Sequence, residues 1–461
     1  MNAAKKLSLF DFTMIVVSLV IGMGIFRTPV NVAKAVDTPF IFFAVWIAGG
    51  LVAFCGALTY AEIGSRLPVT GGYYKIFSYA YHPSIAFAVN CVILVSNAAS
   101  LAGVALVGGE YITGIIIPLS KQASWLADPN NATHVQSVQI GIAFTAIAIF
   151  YGVNLLGLKM SARTQNILMI IKITMIVLLI TPLFFASQDP ATVLTHTNTT
   201  PLLREYIRAF GIGLVAVSFT YGGYQQTINF GAEVDQPKKN VPRAIFFGIF
   251  IIISLYLLIN YAYVKVIGFE ELKTSKNIAA VMASKVFGIN AERILSLFLF
   301  LSVLAYVNVL LMSNPRVMAA MSEDKILPAS FGKRNSKTNA LTTSLTVFAI
   351  LCALIVFWAK EFDTVLSFSI FLDCFGMILS AGSIFILRKK TSYLDETGIY
   401  KMGLYPLLPI IFILTYTLVA ISLAITETKL AIIGISVMIL FIGIYFTVNY
   451  FQRKNSGNWS N

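Results

Sequence analysis

Charge is what this chain has least of: 11% of its 461 residues are Asp, Glu, Lys or Arg, while 57% are hydrophobic. A soluble domain carries roughly 25% charged residues, so a soluble globular protein is excluded, and a mean hydropathy of +0.81 places the chain among integral membrane proteins. Histidine is scarcer still. His82, His134 and His196 all fall near span ends or in loops, so no intramembrane metal site can be assembled from them. The four cysteines, Cys55, Cys91, Cys352 and Cys374, lie inside apolar segments, which excludes a disulfide framework and leaves buried thiols. No span carries a His/Asp/Glu cluster or a serine–base pair, so a membrane-embedded enzyme is disfavoured, and nothing calls for a cofactor. No filter or charged ring repeats, which argues against a channel. The net charge of +13 is spread through short loops between apolar runs, so it implies no nucleic-acid partner.

What is present is a series of long apolar runs. A span needs about 20 mostly apolar residues, and on that rule twelve are expected: 9–33, 40–65, 83–118, 137–157, 165–186, 206–230, 242–267, 291–321, 341–358, 363–388, 404–426 and 430–450. The third and eighth are long enough to tilt or to extend past the bilayer. The first is too long for a cleavable signal peptide and lacks a small-residue cleavage site. With both termini cytosolic, the cytosolic segments hold 20 of the 33 Lys and Arg and the outer loops 11, so charge bias predicts N-in, C-in. Residues 270–290 read as short outer helices. Residues 66–81 read as a cytosolic turn leading into an aromatic amphipathic segment. Asn131-Ala-Thr and Asn198-Thr-Thr match the glycosylation pattern on expected outer loops, a pattern too frequent to decide anything.

Two of these runs are interrupted. In the first, Gly22 and Gly24 bracket Met23, Arg27 follows, and Pro29 lacks a backbone donor. About 200 residues later Phe219-Thr-Tyr-Gly222-Gly223-Tyr224 interrupts the sixth. Broken backbone at membrane depth survives only inside protein or along a watery cavity, and a freed helix N-terminus suits a carboxylate. Glycines also serve close helix packing. As a pair at matching positions of two halves, they point to a transporter's central site.

Buried charge is the remaining signal. Lys172 follows five apolar residues and precedes seven more broken only by Thr174; an ammonium at that depth costs at least ~2.5 kcal/mol, so it is expected to face the interior, the alternative being that it snorkels. Glu62 is placed to pair with Arg66 one turn on. Glu110 and Asp373 admit two readings, contact with a cationic substrate or neutralisation of Arg27.

The chain resembles the amino acid–polyamine–organocation (APC) permeases, closest to the bacterial L-type amino-acid-transporter-like branch. The matching pieces are Ile21-Gly-Met-Gly-Ile-Phe26, Tyr60-Ala-Glu62, Pro68-Val-Thr-Gly-Gly-Tyr73, Phe219-Thr-Tyr-Gly-Gly223, Glu233-Val-Asp-Gln-Pro-Lys-Lys-Asn-Val-Pro-Arg-Ala244 and Pro315-Arg-Val-Met-Ala-Ala-Met-Ser-Glu-Asp324. The resemblance implies an all-α, LeuT-like 5+5 inverted repeat in a single permease domain. The repeats would be 9–186 and 206–388, with two peripheral helices over 404–450 and discontinuous helices one and six. It also implies sodium-independent transport of neutral L-amino acids, as an exchanger, in the cytoplasmic membrane. The rival readings are a proton-coupled symporter, a cationic amino acid or polyamine permease and a permease-like nutrient sensor; the short segment after the last span argues against the sensor.

Carried over by residue, the substrate would lie against Ile21, Gly22, Met23, Gly24 and Ile25 on one side and Phe219, Tyr221, Gly222, Gly223 and Gln225 on the other. Phe219 would be the gate and Lys172 a tether standing where sodium binds in coupled relatives. Met23 replaces the usual Ser or Thr, and Gln225 a frequent Asn, which puts one carboxylate hydrogen bond and the side-chain selection in doubt. The implied partners are the amino acid and membrane lipid. A disulfide-linked heavy chain is not expected, because 119–136 contains no cysteine, and the protein would be a monomer or weak homo-oligomer.

Overall fold

A computed structural model describes residues 6–36, 38–119, 131–184, 203–275, 278–358, 362–391 and 398–455. The described residues form sixteen α-helices and no named strand. The first apolar run is two helices, α1 (Leu9–Val20) and α2 (Gly24–Ala35). Ser8 caps α1 reciprocally with Asp11, whose carboxylate also suits the positive end of the helix. Next come α3 (Pro39–Arg66), α4 (Gly72–Ala80), α5 (Pro83–Leu119), α6 (Ala132–Leu155) and α7 (Leu158–Ile180). The second half holds α8 (Leu203–Thr220), α9 (Pro237–Ile267), the short α10 (Phe269–Thr274) and α11 (Ile278–Phe287), then α12 (Ile289–Glu323). The remaining helices are α13 (Thr342–Trp358), α14 (Phe362–Lys390), α15 (Leu407–Thr426) and α16 (Thr428–Asn455).

Ten helical segments among the described residues are long and apolar enough to cross a membrane, so the protein is a multi-pass membrane protein. Twelve were expected. The other two are α8, whose 18 residues stop at the second break, and α13, of 17 residues. Both fall short of about 20 residues, and α8 also carries Arg204, Glu205 and Arg208 in its first half. The third and eighth expected spans are the 37-residue α5 and the 35-residue α12; at 1.5 Å per residue each exceeds a ~30 Å hydrocarbon core. Residues 270–290 hold α10 and α11, as the modest hydropathy suggested. Asn198 and His196 lie outside the described residues. Large apolar side chains are exposed along α13, α15 and α16, including Phe357, Leu418 and Ile439, the faces a lipid would cover.

The two broken segments lie side by side and run antiparallel. Contacts fall in reverse order along the two: at the start Leu7 makes a locally parallel bridge to Val234, its N–H donating to Glu233 O at 2.8 Å and its carbonyl accepting from Asp235 N–H at 2.9 Å. Higher up, Gly223 abuts the Leu19 carbonyl so closely that a Cβ there would sit 2.0 Å from it. Beyond the breaks Thr220 donates to Thr28 Oγ1 at 2.7 Å, and Gly213 packs on Val32 and Val45. The end of α1 therefore meets the start of the second segment's later half, while α2 meets α8.

One end of the bundle is tied by ion pairs. Glu62, fully buried, accepts from Arg66 Nε at 2.8 Å, from Arg388 at 2.8 and 2.7 Å, and from Met402 N–H at 2.9 Å. Arg316 reaches Glu233 at 2.6 Å across the face of Phe230, and Lys75 reaches Asp324 at 2.5 Å. Removing one partner from a buried pair strands the other charge at ~3–5 kcal/mol. Glu62→Ala should therefore destabilise the detergent-solubilised protein by about 3 kcal/mol, at the low end because Arg388 is partly exposed. A melting temperature equal to the unmodified protein's would remove Glu62 from the framework.

Candidate functional site

Between the two breaks lies a cavity of about 520 Å³, within the 300–1,000 Å³ that small-molecule sites occupy. It extends toward Lys34, Thr274 and Ser275 at the end away from the Glu62 and Glu233 ion pairs. Its first wall is the start of α2. The chain leaves α1 through Ile21, with Gly22 N–H donating to Val20 O at 2.7 Å, and re-enters a helix at Gly24. Met23 caps α2 but offers no side-chain acceptor. Phe26 N–H turns back to Met23 O at 3.1 Å, and the Gly24 and Ile25 N–H groups, with the partial positive charge of the helix start, are left for another acceptor. Gly24 is held to its present shape by the neighbouring segment, since a Cβ would lie 2.9 Å from Thr220 Cγ2.

The facing wall is the end of α8, where the carbonyl pole gathers. Ser218 O accepts from Tyr416 OH at 3.1 Å and Phe219 O from Gly222 N–H at 3.0 Å, each keeping a second lone pair. The arrangement sets donors of one helix start opposite acceptors of one helix end, the two charges of a zwitterion.

Of the residues singled out in the sequence, Gly22, Met23, Gly24, Phe219, Gly222, Gly223 and Gln225 line the cavity. Ile21, Ile25 and Tyr221 do not. Both isoleucines are fully buried, and Tyr221 turns its ring onto Trp46 and Tyr256, with centroids 5.9 and 5.1 Å away. Gln225 folds back so that its Oε1 accepts from Gly223 N–H at 2.7 Å, bracing the second break.

Lys172 on α7 is fully buried, and its Nζ donates to Ile21 O at 2.6 Å. It does not snorkel. Close by, a polar spine joins α1, α6, α7 and α12. Gln165 donates to Ser18, Asn308 donates to Gln165 Oε1 at 2.7 Å, and Asn154 donates to Asn308 Oδ1 at 2.9 Å.

Arg27 pairs with Glu110 at 2.7 Å where both are partly exposed; such a pair is worth under about 1 kcal/mol. Glu110 is therefore spoken for, while Asp373 accepts from Ser96 Oγ at 3.0 Å and makes no ion pair among the described residues. Among the described residues no group of His, Cys, Asp and Glu could hold a metal, and the four cysteines are free thiols.

Sequence reasoning missed a third wall, made by Asn97 and Ser100 of α5, Gln226, and Tyr306 of α12, with Tyr416 of α15 closing the side. One signal was available: Ser96-Asn97-Ala-Ala-Ser100 is a polar cluster inside an apolar run, and polar groups at that depth are functional by default.

The sequence profile of the amino acid permease family matches residues 7–458. The chain is 28% identical over 457 residues to a serine/threonine exchanger of Bacillus subtilis, covering 98% of both chains. It is 26% identical over 458 residues to the large neutral amino acids transporter small subunit 2 of Mus musculus, covering 98% of this chain and 82% of that one. It is 26% identical over 428 residues to the human cystine/glutamate transporter, covering 91% and 80%. With a family match running nearly end to end, and helix ends of opposite polarity facing each other across a central cavity, the chain belongs to the amino acid permeases of the APC superfamily and is a transporter, not an enzyme.

Proposed function

We propose that the protein exchanges neutral L-amino acids across the cytoplasmic membrane by sodium-independent alternating access. The observation that carries this is the antiparallel contact of the two broken segments around the cavity. In that contact the uncapped start of α2 suits a carboxylate and the carbonyl end of α8 suits an ammonium. Two segments broken at matching places and aligned head to tail are what two halves of inverted topology produce. That supports twelve spans, with the 5+5 repeat over 9–186 and 206–388, helices 404–450 beside it, and both termini cytoplasmic. The cavity's extension toward Lys34 and Thr274 then corresponds to the outer side. Exchange and neutral substrates are favoured by two relatives, one a serine/threonine exchanger and one a large neutral amino acid transporter. The chain is proposed to work without a disulfide-linked heavy chain, since 119–136 offers no cysteine.

The test is uptake by purified protein in liposomes. Labelled amino acid should enter quickly when the lumen holds unlabelled amino acid and at least tenfold more slowly when it is empty. Uphill entry into empty liposomes driven by an imposed pH gradient would replace exchange with proton symport.

Phe219 lines the cavity at the end of α8, half-buried, where an aromatic ring can cover a bound amino acid. Phe219→Ala should lower exchange by about tenfold, the effect of ~1.4 kcal/mol, with expression retained. Uptake at the unmodified rate would take Phe219 out of the gate.

A further inference from the structure

The third wall of the cavity has a fixed polarity. Asn314 Nδ2 donates to Leu310 O at 2.9 Å, Asn97 Nδ2 to Asn314 Oδ1 at 2.7 Å, and Gln226 Nε2 to Asn97 Oδ1 at 2.8 Å. A backbone carbonyl can only accept, so it orients Asn314, which orients Asn97, which orients Gln226. The relay therefore ends on an oxygen. Gln226 Oε1, buried at the cavity wall, has no partner among the described residues. Beside it, Ser96 donates to Asp373 Oδ1 at 3.0 Å. Ser96 and Asn97 are neighbours on α5, and the groups they hold, Asp373 and Gln226, line the same cavity. Asp373 lines the cavity too, with no cation paired to it among the described residues. Two acceptors short of donors at membrane depth are costly as they stand, and a ligand that brings a donor relieves them.

Resting on the transport reading above, we propose that Asp373 and Gln226 form an acceptor-lined subsite for the substrate side chain. It selects amino acids whose side chain carries a hydrogen-bond donor over aliphatic and acidic ones. A site built to bond a hydroxyl or amine rejects the isostere lacking it, because its buried acceptors are then left unpaired. Acidic side chains are rejected by the Asp373 carboxylate. A hydroxyl and an ammonium share the required chemistry, and two isosteric pairs separate them.

The experiment measures kcat/KM for exchange of threonine against valine, and of ornithine against norleucine, by the full chain in liposomes. At least one donor-bearing member should exceed its isostere by tenfold or more: threonine if the subsite takes a hydroxyl, ornithine if it takes an ammonium. Asp373→Ala and Gln226→Met should each lower that ratio at least fivefold. Asp373→Asn, of equal size, keeps an acceptor and so should keep a threonine/valine preference but lose an ornithine/norleucine one. Valine and norleucine handled as well as their partners would overturn the subsite, as would Asp373→Ala and Gln226→Met slowing all substrates with unchanged ratios. If no amino acid is exchanged by the unmodified protein, the transport reading falls and the subsite with it.

Discussion

Gly223→Ala should abolish exchange and strip most folded protein from the membrane fraction. The residue adopts φ +111°, and an added Cβ would lie 2.0 Å from Leu19 O and 2.8 Å from Leu19 C. The φ alone costs an L-residue ~1–3 kcal/mol. The contact is worse, because both neighbours are backbone atoms at the end of α1, and relief requires the two broken segments to part by on the order of 1 Å in a close-packed interior. That movement pulls apart the helix ends that face the cavity. The control is Gly152→Ala in α6, where a Cβ meets nothing within 4 Å and Ala favours the helix by about 0.5–1 kcal/mol. Size-exclusion profile, thermal melting and uptake should all separate the two variants. Normal uptake by Gly223→Ala protein would show that the contact between the breaks is dispensable.

Lys172→Ala should slow exchange by tenfold or more in protein that still inserts. The buried ammonium is bonded to Ile21 O, the first carbonyl past α1, and a hydrogen bond to a charged group is worth ~1.5–3 kcal/mol. Without it the break loses its link to α7, and Gly22 and Met23 gain freedom that substrate binding must remove. Lys172→Met, similar in length but unable to donate, should behave like Lys172→Ala, which separates the loss of the bond from the loss of volume. With the Ile21 carbonyl already taken by the Lys172 amine, the proposed exchanger has no need of a bound cation at the break. Uptake should therefore be the same in sodium, potassium or choline, and a rate that rises with sodium would contradict the tether.

Some of the site was legible in residue order because membrane depth makes backbone chemistry conspicuous. A glycine pair in an apolar run has no bland role as strong as the break it permits, and a lysine flanked by isoleucines and methionines must find a partner. Glu62 was readable for the same reason, although only its i+4 partner Arg66 could be anticipated; Arg388 comes from 326 positions away. Side-chain direction was not readable. Tyr221 stands among cavity residues in sequence, yet its ring packs on Trp46 and Tyr256. Gln225 and Gln226 are adjacent and do opposite things, one bracing Gly223 and the other ending the amide relay.

The sequence by itself determined that the chain lives in a membrane, that its spans are helical, and that two of them break. Those properties follow from hydropathy, span length and the glycines, all local to a stretch of about 20 residues. Which broken end faces which, and what else shares the cavity, was decided only by tertiary packing. Arg27 chose Glu110 over Asp373, and Asn97, Gln226 and Tyr306 converge from three distant segments. Such meetings depend on how helices rotate and tilt against one another. A helical run that is apolar nearly all round leaves that rotation unspecified: α5 turns Ser96 and Asn97 inward because α14 and α12 pack there and meet them with Ser369 and Asn314.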